Sequence, residues 1–154
     1  MERKTKVHAE NGKQDILITR EFDLPVDLLF KAYIEPEIVE QWMGTKVLKL
    51  ENRSHGGWEF ETTDPAGNKH GFSGVIHEFV HGSKITRTFE MLNSDFGPQL
   101  EFLEFEKCSG TRSRLSMHVI YRSVTIRDQV LKLPFEYGVN MAHDRLQEIL
   151  SKLI

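Results

Sequence analysis

Four ionisable residues stand where the pattern of the chain calls for apolar ones. Arg20 shares the phase of Ile16 and Ile18, and Arg87 that of Ile85 and Phe89. Glu101 is in phase with Leu103 and Phe105, and His143 borders the apolar stripe of the last helical segment. A charge taken out of water is costly unless it is paired and hydrogen-bonded. Two readings follow. These residues anchor a polar group of a bound molecule, orienting a carbonyl or moving a proton. Alternatively they lie at strand ends, snorkel to water, or pair with one another. Spacing alone does not choose between these readings.

The remaining chemistry-bearing residues point to less. His77 and His81 are four apart, and on a strand that places them on one face but about 13 Å from each other, too far to share an ion. Neither an HExxH nor a CxxC pattern occurs, and no metal site or organic cofactor is expected. Cys108 sits beside the Ser109-Gly110 turn without a nucleophile motif. No GxSxG, P-loop or GxGxxG pattern is present. Glu59 and Glu61 share a strand face but alternate with Trp58 and Phe60, the pattern of a solvated face.

The elements that hold these residues are organised around the C-terminal stretch. From Phe135 to Leu153 the apolar residues Phe135, Val139, Ala142, Leu146, Ile149, Leu150 and Leu153 fall on one arc roughly 120° wide. Such a helix must bury its stripe on something. What precedes it reads mostly as strands: 16–22, 46–53, 57–63, 69–80, 83–91, 100–107 and 112–121. Two short helices interrupt them. One opens at Pro25 and runs through Tyr33. The other opens at Pro36 and is ended by Gly44. Gly56-Gly57, Asp64-Pro65-Ala66-Gly67, His81-Gly82 and Ser109-Gly110 are turn sequences between neighbouring strands, as in an antiparallel meander. Asn93 to Pro98 is the longest irregular stretch. Thr125 with Asp128 fits a capping box for a helical turn through Lys132. Pro134 then either kinks one long helix or opens the last one. Tyr137 and Met141 lie on the polar side of that helix, one turn apart, where a partner or a second copy would meet them. Residues 1–13 form a polar extension that either frays or, through the Asn11-Gly12 turn, pairs back on the first strand. The order predicts an α+β fold in which a curved antiparallel sheet wraps around the long C-terminal helix.

The 154 residues, of which 14–154 are expected to form one domain, suffice for a core without staples. A net charge of −3 gives no electrostatic footprint for nucleic acid. One cysteine excludes an internal disulfide and fits a reducing cytoplasm. The N-terminus lacks the apolar core of a signal peptide, and no apolar run reaches the length of a membrane span.

Several short motifs carry a resemblance. They are Arg20-Glu21-Phe22 followed by Pro25, then Phe30, Tyr33, Pro36-Glu37 and Trp42. Next come Gly56-Gly57-Trp58, Asp64-Pro65 with Gly67, and Gly74. Phe105, Gly110-Thr111 and Leu115 follow, and Gly138, Asp144-Arg145-Leu146 and Leu150 close the series. In order and spacing this resembles the SRPBCC proteins of the START-like superfamily. Within them it resembles the group homologous to the C-terminal domain of the heat-shock-protein-ninety ATPase activator. The match spans about residues 14–153. Met43 replaces a second aromatic common after Trp42, and Pro134 is a further departure.

The resemblance implies a helix-grip fold with a cavity between sheet and helix. Its expected lining is Trp58, Phe60, Phe72, Ile76, Phe89, Phe105, Met117 and Val119 from the strands, and Phe135, Val139, Ala142 and Leu146 from the helix, with Arg20, Arg87, Glu101 and His143 as polar anchors. Small Ala142 and adaptable Met117 favour space over filling. The function it implies first is binding of a hydrophobic, aromatic or lipid-like small molecule without covalent chemistry. The alternatives are a cyclase- or hydrolase-like use of the same pocket and a stress- or chaperone-associated interaction protein. The eukaryotic activator carries an additional N-terminal domain, whereas only about 13 residues precede the first strand here, which argues against a chaperone partner. A monomer or weak homodimer is expected.

Overall fold

The computed structural model describes residues 4–154, so the first three residues of the polar extension lie outside the described ones. A short strand β1 (Lys6–His8) leads into β2 (Asp15–Phe22). Two helices follow, α1 (Val26–Ile34) and α2 (Pro36–Met43). Six strands form the meander: β3 (Lys46–Leu50), β4 (Gly57–Thr63), β5 (Lys69–Val80), β6 (Lys84–Met91), β7 (Gln99–Lys107) and β8 (Ser113–Ile120). The chain closes with α3 (Val124–Lys132) and α4 (Phe135–Ser151). All eight strands form one antiparallel sheet in the order β1-β2-β8-β7-β6-β5-β4-β3. This is the α+β helix-grip architecture. Among the described residues, no helix is long and apolar enough to cross a membrane.

The local chemistry explains most boundaries. Gly12, at φ 77°, makes the turn that returns β1 onto β2, pairing Val7 with Ile18. Gly44, at φ 63°, closes α2 in the left-handed conformation, its N–H bonded to the Glu40 carbonyl. The strand expected over 46–53 stops at Leu50. Glu51 N–H bonds the Gly57 carbonyl, and the intervening residues turn, with His55 at φ 64°. The cap of α3 also differs from expectation. Ser123 sits in extended conformation and its Oγ accepts from the Ile126 N–H at 3.1 Å, so Thr125 falls inside the first turn. Pro134 opens α4 rather than kinking a longer helix. Its carbonyl accepts the Gly138 N–H at 3.0 Å, and α3 has already ended.

The core divides into two clusters. The larger gathers Phe22, Phe30, Trp42, Trp58, Leu103 and Leu146 beneath α1, α2 and the C-terminal half of α4. The smaller joins Ile16, Ile18, Val119, Tyr121 and Val130 where β2 and β8 meet α3. Phe135 and Val139, in the first half of α4, pack against the smaller cluster, whereas Leu146 and Leu150, in the second half, are fully buried in the larger one.

Candidate functional site

Between the two clusters lies a cavity of about 280 Å³, at the low end of the size range of small-molecule sites. Its roof is the first half of α4, with Phe135, Val139, Ala142 and His143. Its floor is the inner face of the sheet: Phe72 on β5, Arg87 and Phe89 on β6, Glu101 on β7, and Met117 and Val119 on β8. Phe72, Phe89, Met117, Val139 and Ala142 are only half-buried although they face inward, because α4 stands off the sheet here. The cause is in the sequence. Val139 and Ala142 are short, and the bulky Leu146 and Leu150 begin one turn later. Two larger depressions, about 640 and 940 Å³, are lined by charged or mixed surface residues, including Lys6, Arg112 and Glu21 in one and His118, Asp15 and Glu104 in the other.

The structure brings together seven of the twelve expected apolar lining residues: Phe72, Phe89, Met117, Val119, Phe135, Val139 and Ala142. Trp58, Phe60, Ile76, Phe105 and Leu146 are instead packed in the larger cluster. Trp58 packs against Phe60 with tilted rings 4.7 Å apart, and Phe105 meets Phe30 edge-on at 5.0 Å. The strand phase was the same for both groups. What separates them is which part of the inner face α1 and α2 cover, which phase does not encode. The expected set also lacks Tyr33, Trp42 and Met43 from the helical pair and Phe96 from the 93–98 loop, all of which line the cavity. Phe96 was a readable signal, an isolated aromatic among Ser94, Asp95 and Gly97, and it packs on the smaller cluster.

Of the four polar residues, Arg87, Glu101 and His143 reach the cavity and Arg20 does not. Arg87 and Glu101 are directly opposed across β6 and β7. Arg87 Nε donates to Glu101 Oε1 at 3.0 Å, and Gln99 Nε2 donates to Oε2 at 2.8 Å. The guanidinium also lies 5.0 Å over the Trp58 ring. Both residues are about 95% buried, at 5% and 4% exposure. Arg87 lines the cavity, and among the described residues only its Nε is hydrogen-bonded, neither Nη group having an acceptor.

His143 belongs to a second buried network. Arg20 Nη1 donates to Asp144 Oδ1 at 2.8 Å and to Thr5 Oγ1 at 3.3 Å. Thr5 Oγ1 lies 2.9 Å from His143 Nδ1. Since arginine only donates, Oγ1 accepts from Arg20, and its own proton finds an acceptor at Nδ1. With Thr5 as the donor, the neutral ring carries its proton on Nε2. Burial, reinforced by the Arg20 charge and opposed by Asp144, pushes the His143 pKa down to about 3. Tyr33 and Tyr121 also line the cavity, and burial raises both phenols well above their usual range. Around neutral pH the wall therefore carries one internally compensated ion pair and otherwise neutral groups.

Elsewhere the chemistry is sparse. Cys108 is exposed. His77 is exposed, and His81 packs edge-on against Phe30 at 5.3 Å. Among the described residues no three His, Cys, Asp or Glu side chains gather as a metal site would require. Tyr137 and Met141 are both exposed on α4.

Comparison with known proteins places the chain among relatives. A family model described as "Activator of Hsp90 ATPase homolog 1-like protein" matches residues 23–151. No curated protein matches the sequence significantly. Among solved structures, protein Ms6760 from Mycobacterium smegmatis superposes with a TM-score of 0.85 at 21% identity, covering 95% of this chain and 96% of that one. A protein from Arthrobacter aurescens gives a TM-score of 0.87 at 16% identity, covering 96% and 91%. CalU16 from Micromonospora echinospora gives 0.66 at 20% identity, covering 97% and 85%. At these identities the likeness is one of fold.

Proposed function

The chain belongs to the Activator of Hsp90 ATPase homolog 1-like family, and from that premise we propose that it binds a compact, mostly apolar small molecule in the cavity beneath α4, without covalent chemistry. One observation carries this reading. The gap between the two core clusters is walled by aromatic and aliphatic side chains, several of which remain half-buried, and its few polar groups include Arg87, Glu101 and His143 beside the tyrosines. A chain of this size packs its interior to near-crystalline density where nothing else is required of it. An open space of this size, bounded by Ala142 and Val139, is a departure that a guest would fill.

An inward-facing Arg–acid pair favours a second reading, an enzyme of cyclase or hydrolase type using the same pocket. The pairing itself weakens that reading. Glu101 already accepts from two donors, and His143 Nδ1 is occupied by Thr5, so each candidate base is engaged. A role as an interaction protein would rest on exposed Tyr137 and Met141, and it leaves the cavity without a purpose.

The test is an amide-shift titration of the ¹⁵N-labelled protein with fatty acids, flavonoids and polyketide-like aromatics. Saturable shifts confined to α4 and the facing parts of β5–β8 are expected. Flat titrations across the panel would remove the binding reading for those classes.

A further inference from the structure

The polar groups of the cavity differ in kind as well as number. Arg87 offers two Nη groups that have no acceptor among the described residues. His143, with Nδ1 held by Thr5, presents Nε2–H. The natural acceptor in the wall, Glu101, is occupied at both oxygens by Arg87 and Gln99. Tyr33 and Tyr121 hydroxyls can serve either way. The cavity therefore has donors to spare and no free carboxylate. Its formal charge is also balanced, because Glu101 neutralises Arg87 at 3.0 Å.

We propose that the occupant is an uncharged, largely aromatic molecule whose carbonyl-type oxygens accept hydrogen bonds from the Arg87 Nη groups and from His143 Nε2. The proposal rests on the binding reading above and narrows it to aromatic ketones, lactones and related neutral oxygenated rings. Three alternatives fail on the same wall. A pure hydrocarbon fits the apolar surface but leaves buried guanidinium donors unmet. A carboxylate satisfies the donors but adds a negative charge that no free cation in the wall balances, beside Glu101. A cationic amine meets donors where it needs acceptors.

The experiment compares three probes of one shape: 9-fluorenone, fluorene and fluorene-9-carboxylate. Each is titrated into the full-length labelled protein, with amide shifts giving site and dissociation constant. Fluorenone should bind tightest, by about tenfold or more over fluorene, the usual worth of one hydrogen bond to a charged donor. The carboxylate should be weaker than fluorenone. Arg87→Lys keeps a cation for Glu101 but removes the fork. It should bring the affinity ratio of fluorenone to fluorene down towards one. The wild-type series decides the question even if that variant does not fold. Fluorene binding as tightly as fluorenone would overturn the donor selection and leave the binding reading standing. A carboxylate that binds tightest would overturn the charge argument. Flat titrations with all three would overturn both this inference and the reading of the cavity as an aromatic site.

Discussion

Arg87 and Glu101 stand opposite one another on β6 and β7, and their 3.0 Å ion pair is buried on the inner face of the sheet at the edge of a cavity. A buried pair of this kind contributes little net stability, but removing one partner strands the other. Glu101→Leu should therefore cost about 3–5 kcal/mol in urea unfolding. Arg87→Met combined with Glu101→Leu should recover most of that loss. A double variant no more stable than the single one would show that the pair stabilises the sheet in its own right.

Ala142 is the position from which the cavity can be closed. It lies on the cavity side of α4 and is half-buried. Ala142→Leu places three more carbons into open space, so unfolding stability should change by no more than about 1 kcal/mol. Amide shifts on ligand addition should vanish in the same variant. A loss above about 2 kcal/mol would mean overpacking, and hence a site already filled by side chains.

The sequence made the fold readable because its signals were local. Alternating strands, turn sequences at Asp64-Pro65 and His81-Gly82, and the stripe on α4 each declare themselves within a few residues. The cavity was only partly readable. Phase put Trp58 and Phe89 on one inner face, yet Trp58 is packed and Phe89 borders open space. That difference depends on where α1 and α2 cross the sheet, a property of distant segments. The Arg87–Glu101 register was likewise invisible, since it depends on how β6 and β7 align across the irregular 93–98 segment. Thr5 gave no hint of its contact with His143, 138 positions away.

Gly74 tests the packed side of the sheet. It pairs with Trp58 across β4 and β5, and Trp58 Nε1 donates to the Thr88 carbonyl at 3.2 Å. A Cβ at Gly74 would collide with that carbonyl oxygen and approach Trp58 Nε1 to 2.6 Å. Backbone is the obstacle, so the strand itself must shift. Gly74→Ala should cost at least about 2 kcal/mol and alter the near-ultraviolet signal of the tryptophan. An unchanged midpoint would mean that β5 and β6 separate there easily.

His143 gives the protein a built-in acid sensitivity. Burial, with the Arg20 charge adding to it and Asp144 opposing it, holds the folded-state pKa at about 3, against an ordinary value of 6.5. The folded pKa is depressed, so the unfolded chain takes up a proton first as pH falls. Stability from this residue is complete above about pH 6.5 and declines as pH drops towards 3, where the folded ring also protonates. The slope approaches about 1.4 kcal/mol per pH unit between those limits. The difference between wild type and His143→Gln isolates the ring. Gln keeps a donor near Nε2 and cannot titrate. Urea midpoints measured from pH 7 to pH 4.5 should fall more steeply for wild type than for the variant. Parallel curves would mean that the ring protonates in the folded protein as it does in water, and that the Thr5 contact does not hold it neutral.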